Sequence, residues 1–276
     1  MNTTLCNVNR IDKGDIIIHM FTSPEEGESV NSHIVETASS LLIVDVPLLK
    51  PYALEFKAYI ESLDKPVELV LATHAHPDHW FSLGYFSEYR IRAYQGAIDE
   101  MAMLKDVAIG FHTSIHADLM PENIILPPET IEPGDFEIGG VIFRLLQFKD
   151  IEANTLMAVE IPSINTLIAQ DLVYNKCHMY VATRTADGGF AVGNWIRALE
   201  DCRTRGYETV IPGHGAAADA RVFDDCIQYL TFASDVLATA VSAEEFAAAM
   251  KKQYPDHAIE LMLTMSGYMI YQAGSN

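Results

Sequence analysis

The chain is expected to fold as a mixed α+β protein, a two-layered arrangement built as one domain. Three observations predict this. Short β-rich runs open the chain in a β-β-β-α-β order, a second series of strands follows a proline-rich break, and no Gly-, Ser- or Pro-rich linker separates the halves. The length of 276 residues by itself leaves one large domain against two small ones.

The elements follow in order. Residues 15–22, 29–36 and 41–47 read as consecutive strands, the last rich in Leu, Ile and Val. Pro51 opens a helical pattern in which Leu54, Phe56, Tyr59 and Ile60 recur near helical spacing, and a fourth apolar run occupies 67–72. A loop at 73–80 leads through a short helix to a strand at 91–94 and a long helical stretch at about 97–120. After the break at 126–128, strands are expected at 136–148, 155–161 and 166–170. A helix at 192–204, a strand at 209–212 and Ala-rich helices from about 217 complete a single domain of residues 1–276, with 97–120 read as a helical insertion.

Composition narrows the function. With 49% hydrophobic and 20% charged residues the chain is that of a globular protein, and its formal net charge of −20 opposes contact with nucleic acid or an anionic membrane. A small-molecule substrate is therefore expected, with a homodimer left open. The four cysteines are scattered and form no CxxC pair, the first ten residues lack an apolar signal-peptide core, and no run of about 18 apolar residues occurs. A cytoplasmic location follows as the expectation.

The chemistry concentrates in Thr73-His74-Ala75-His76-Pro77-Asp78-His79-Trp80, directly after an apolar strand. In an extended loop His74 and His76 point the same way and can share one metal, while Asp78 and His79 on the following turn can reach a second. Adjacent buried histidines would otherwise cost desolvation and repel when protonated.

Here the sequence resembles the metallo-β-lactamase superfamily, whose hallmark is HxHxDH at a strand end. Two later segments extend the resemblance: Leu167-Ile168-Ala169-Gln170-Asp171, an aspartate ending a strand, and Val210-Ile211-Pro212-Gly213-His214-Gly215, a Gly-His-Gly turn. The resemblance implies an αββα sandwich of two face-to-face sheets with helices outside. It also implies that Asp171 bridges two metals and that His214 joins the ion held by Asp78 and His79.

One feature of that family is missing. Its third histidine for the first metal, in a Gly-His-Thr-Pro-Gly-like turn, is replaced by Phe148-Lys149-Asp150-Ile151-Glu152-Ala153-Asn154-Thr155. Asp150, 21 residues before Asp171, is the first choice to take its place, with Glu152 second and a water-filled position third. A carboxylate there is a harder donor than imidazole, so one or two divalent ions are expected, zinc by family and iron or manganese by the donor change.

Metals of this kind lower the pKa of bound water and polarise a carbonyl, which implies hydrolysis of a small ester, lactone, thioester or amide, a β-lactam included. Asp78 is expected to orient the attacking hydroxide, and His178 and Tyr180, in the loop after Asp171, to serve as acids or oxyanion donors. The alternative is a degenerate scaffold that binds a ligand without turnover. Within the family, glutathione thioesters and nucleic acids fit poorly with so few basic residues. The diiron flavoprotein branch has a carboxylate where His76 stands, and the one-iron sulfur dioxygenases need the missing histidine.

Other features read more plainly. His112 and His116 lie at i and i+4 with no glutamate between them in an HExxH pattern, which favours a structural or lid role. Met101, Met103 and Phe111 on the same stretch make it a flap or an ordinary packed helix. Met262, Met265 and Met269 read as core or subunit-contact residues, Trp80 as packing beneath the metal loop, and Asp256-His257 as incidental.

Overall fold

The computed structural model describes residues 4–271. Close contacts divide them into two compact units, one of residues 4–147 and 157–164, the other of 148–156 and 165–271. The described residues form two sheets, one of seven strands and one of five.

The seven-stranded sheet lies in the first unit and runs in chain order: β1 (Asn7–Asp12), β2 (Ile17–Thr22), β3 (Asn31–Glu36), β4 (Leu41–Val44), β5 (Val67–Leu71), β6 (Ile91–Ala93) and β7 (Glu129–Thr130). The first four pair antiparallel through short connections. From β4 onward the pairs are parallel, because α1 (Lys50–Ser62) carries the chain back between β4 and β5 and α2 (Gln95–His116) between β6 and β7. Strand β1 was absent from the sequence reading; its Asn-Val-Asn-Arg-Ile-Asp is polar and largely exposed, so no alternation marks it. Pro at the start of α1 sets that helix, which buries Tyr52, Ala53, Phe56 and Ile60. These join Phe21, Ile34, Ile43 and Val70 in one core, each large side chain contributing about 1.5–3 kcal/mol by leaving water.

The expected strand at 136–148 is two strands, β8 (Gly134–Ile138) and β9 (Val141–Lys149). Ile138 pairs with Val141, and Gly139 and Gly140 adopt φ of 56° and 79°, the left-handed pair that a two-residue hairpin needs. β10 (Thr155–Ile161) follows.

His33 on β3 is fully buried, neither ring nitrogen has a hydrogen-bond partner among the described residues, and burial pushes its pKa down to about 3. Unfolded, the same imidazole takes a proton near pH 6.5. The folded state is therefore fully favoured above about 6.5 and loses stability as pH falls towards 3. Chelator-treated protein is expected to melt earlier at about pH 5 than at about pH 8, and His33→Met to flatten that slope. Equal slopes in differential scanning fluorimetry would remove His33 from the account.

In the second unit β11 (Thr166–Tyr174) pairs in parallel with β12 (Thr209–His214). All nine residues of β11 are buried, the near-continuous burial of a parallel strand, yet it carries Gln170 and Asp171. Those polar residues ended the strand at 170 in the sequence reading. A register shift at Gln170, whose φ is 48°, lets the strand absorb them and continue to Tyr174. The helices α3 (Val192–Arg203) and α4 (Arg221–Leu237) bury stripes at helical spacing, Val192, Trp195, Leu199 and Cys202 on α3 and Val222, Cys226, Tyr229, Ala233 and Val236 on α4. Helix α5 (Ala243–Gln253) is capped by Ser242, whose hydroxyl accepts from the Glu245 N–H, and α6 (Leu261–Tyr271) buries Met262 while exposing Met269. No described helix is long and apolar enough to cross a membrane, and all four cysteines are buried and outside any disulfide.

Candidate metal centre

In the first unit the chemistry stands at the carboxyl ends of two adjacent parallel strands, where ligands of open α/β sheets collect. β5 ends at Leu71, and the chain turns through Thr73, His74, Ala75 and His76 into a short 3-10 turn, Pro77–His79. One step beyond the end of β4, Asp45 adopts a left-handed φ of 59°, which aspartate tolerates better than most residues. That twist aims its carboxylate at the metal loop: Oδ1 accepts the Thr73 N–H at 2.7 Å, and Oδ2 accepts the Thr73 hydroxyl at 2.6 Å and the His79 Nδ1–H at 2.8 Å.

This arrangement sets two tautomers. An ionised Asp45 only accepts, so His79 carries its proton on Nδ1 and presents Nε2. The Thr73 hydroxyl spends its hydrogen on Asp45 and accepts from His74 Nδ1 at 3.0 Å, so His74 also presents Nε2. The His74 ring lies 4.2 Å from that of His79 and 4.9 Å from that of His76, centre to centre. His79 Nε2 faces Asp78 Oδ2 at 3.3 Å, two lone-pair atoms turned towards each other in a buried place. Trp80 is buried under the loop and donates its indole N–H to the Ala75 carbonyl at 2.9 Å. Asp45 was missed from the sequence; the available signal was a carboxylate directly after a fully apolar strand.

The second unit repeats the device. Asp171 on β11 and His214 on β12 stand near the carboxyl ends of adjacent parallel strands, with His214 Nε2 3.4 Å from Asp171 Oδ2. Tyr174 stacks on His214 at 4.9 Å and 16°, and its hydroxyl lies 2.5 Å from Asp171 Oδ2 and 3.3 Å from Glu152 Oε1. A phenol bridging two carboxylates was not visible in the sequence.

The segment replacing the missing histidine folds back on itself. Asp150 takes a left-handed φ of 50°, its N–H reaches the Asn154 carbonyl, and the Ile151 N–H reaches that of Ala153. This tight turn leaves Asp150 half-buried and outside every cluster of metal-capable side chains among the described residues. Glu152, at the apex, is fully buried, is held through its carbonyl by the Thr183 hydroxyl, and shares Tyr174 with Asp171. Of the two carboxylates expected here, the second choice, Glu152, is thus the one the turn buries beside Tyr174 and Asp171, while the first choice, Asp150, stays half-buried outside those groups. Glu152→Ala is expected to remove about one metal equivalent or weaken binding at least roughly tenfold, whereas Asp150→Ala leaves stoichiometry unchanged. Elemental analysis of both variants checks this, and the reverse pattern would restore Asp150.

The residues expected as acids lie in a different setting. His178 is buried, its Nδ1 lies 3.0 Å from the Tyr229 hydroxyl, and burial, aided by His257, holds it down at about 4. Its backbone N–H donates to the Ala258 carbonyl at 2.8 Å. These bonds fix it among Tyr229, Tyr254 and His257, an aromatic group beside a cavity of about 210 Å³ that Cys177 and Met179 also line. Tyr180 follows, half-buried.

Residues 26–214 match the family model of the metallo-β-lactamase superfamily, and the chain belongs to that superfamily. Among solved structures it is similar to a metallo-β-lactamase from Pontibacter korlensis, at 18% identity over 82% of this chain and 99% of that one, TM-score 0.62. It is also similar to the metallo-β-lactamase IND-7, at 19% over 83% and 100%, TM-score 0.65. A third is FIM-1 from Pseudomonas aeruginosa in its mono-zinc form, at 14% over 84% and 97%, TM-score 0.62. At these identities the likeness is one of fold, and the fold is the αββα type expected from the motifs. No curated protein matches the chain.

Proposed function

We propose that the chain is a metal-dependent hydrolase of a small ester, lactone, thioester or amide. His74 and His76 with Glu152 would hold one divalent ion, Asp78, His79 and His214 a second, and Asp171 would bridge them. The family match supports joining the two sets, since it runs through both. The observation that carries the proposal is the Asp45 anchor, which sets His74 and His79 in the tautomers a metal requires.

The donor set fits the ions. His79 Nε2, held as an acceptor, faces Asp78 Oδ2 at 3.3 Å, a distance that a shared cation makes favourable, and His214 Nε2 lies 3.4 Å from Asp171 Oδ2, near enough for both to hold one ion. When bound, such ions lower the pKa of water and polarise a carbonyl. The protein's own part is positioning. Asp45 and Thr73 lock the imidazoles, the Tyr174 hydroxyl keeps Asp171 and Glu152 in register, and Asp78 is placed to accept a proton from the attacking water. A carboxylate in place of the missing histidine adds negative charge, which favours harder ions, iron or manganese, beside zinc. The net charge of −20 points to a neutral or cationic small molecule, and the same charge argues against nucleic acid.

Elemental analysis with a chromogenic lactone, ester, thioester and β-lactam panel tests the proposal. Wild type is expected to carry metal and turn over at least one member, and His76→Ala to lose turnover together with about one equivalent of metal. Bound metal with no turnover would favour the ligand-binding reading, and absence of metal under saturating supply would overturn both.

A further inference from the structure

Helix α2 carries a second pair of histidines, away from the HxHxDH loop. His112 and His116 sit one turn apart, their rings stacked with centres 5.9 Å apart and planes within 11°. The sequence between them lacks the glutamate of an HExxH site, but the fold supplies one from elsewhere. The turn Glu25–Gly27 ends at Glu28, whose φ of 63° is left-handed. Gly27 lies so close to Tyr52 that a Cβ there would stand 2.8 Å from the ring, so the absence of a side chain lets the turn pack directly against α1.

The Glu28 carboxylate, 3% exposed, consequently faces His112 Nδ1 at 3.5 Å. One donor atom from each of Glu28, His112 and His116 lies within 4.8 Å of the others. His112 Nδ1 and His116 Nε2 are both buried and have no hydrogen-bond partner among the described residues. An imidazole nitrogen in that position costs desolvation without return. The Phe81 ring packs edge-on against His112 at 5.6 Å and closes one side to water.

The surroundings favour a cation. His116 is the last residue of α2, where the carbonyl ends of the helix present partial negative charge. Asp78 acts electrostatically on His112 and Glu26 on His116, both in the direction that stabilises positive charge. Burial nevertheless outweighs them and holds His112 down at about 4, leaving a neutral ring with its lone pair available.

We propose that Glu28, His112 and His116 form a further binding site for a zinc-class divalent ion, separate from the HxHxDH donors. Two ligand atoms on a tetrahedral zinc stand roughly 3.3 Å apart, close to the 3.5 Å between Glu28 and His112. His116, half-buried at the helix end, has a donor atom within 4.8 Å of both others. A His₂Glu set leaves the fourth position for water, and the bound ion ties the carboxyl end of α2 to the turn after β2.

The test uses the full chain, stripped with chelator and titrated with zinc, its zinc content read by elemental analysis and its thermal midpoint followed. His116→Ala, at a half-buried position, and Glu28→Gln are each expected to bind one equivalent fewer than wild type and to show a smaller zinc-induced rise in midpoint. His76→Ala retains this equivalent. Cobalt-loaded wild type should show visible d–d absorption that His116→Ala reduces and His76→Ala retains in part. An unchanged zinc count in His116→Ala and Glu28→Gln would overturn the site, as would loss of all zinc in His76→Ala alone.

Discussion

Asp45→Ala is expected to destabilise the protein by about 3–5 kcal/mol, the scale seen when one partner of a buried charged network is removed. A single carboxylate satisfies three donors, the Thr73 N–H, the Thr73 hydroxyl and His79 Nδ1. All are buried, so deletion takes this acceptor from each of them in a place that water does not easily fill. For a chain of this size the midpoint falls by roughly 10 °C. Function goes with it, because His74 and His79 are then free to carry their protons on Nε2 and withdraw the lone pairs that a metal needs. Asp45→Asn separates the two effects. It keeps the shape and one acceptor oxygen, so it should recover much of the midpoint while metal affinity stays depressed about 10–100-fold. If Asp45→Ala melts within a degree or two of wild type, as differential scanning fluorimetry would show, the anchor role fails.

Gly213→Ala is expected to slow hydrolysis by about a hundredfold with a smaller loss of stability. A Cβ at this position would stand 1.7 Å from Asp171 Oδ1 and 3.0 Å from the Asp171 backbone nitrogen. The backbone of β11 has little room to move aside, because it is buried and paired with β12 on either side of Asp171, at Gln170 and Tyr174. The Asp171 side chain must therefore rotate and give up the Tyr174 hydroxyl at 2.5 Å. A displacement of about an ångström in a group that positions reactants costs on the order of a hundredfold in rate. Metal content, measured beside turnover, should also fall. Wild-type turnover and stoichiometry in Gly213→Ala would show that Asp171 has another place to go.

The family, the metal-capable motifs and the strand-helix alternation could all be read along the chain, because each depends on residues close in sequence. Three histidines and an aspartate within six residues announce a site without any fold, and apolar runs bounded by turn residues announce strands. Gly139-Gly140 was also legible as a hairpin turn, and the long apolar run around it concealed the signal. What lay beyond reach depends on groups distant in sequence or on the sign of a backbone angle. Asp45, 28 residues before Thr73, matters only because β4 and β5 are parallel neighbours. Glu152 and not Asp150 is the buried carboxylate because a left-handed turn at Asp150 decides which of the two enters the interior.

The histidine pair on α2 shows the same division. Its spacing was plain, but its carboxylate comes from Glu28, and only the packing of Gly27 on Tyr52 puts it there. The sequence by itself determined the residue types able to do chemistry and the order of the elements that carry them. The tertiary structure alone decided which of those residues face one another, since desolvation, hydrogen-bond geometry and backbone handedness act between neighbours in space.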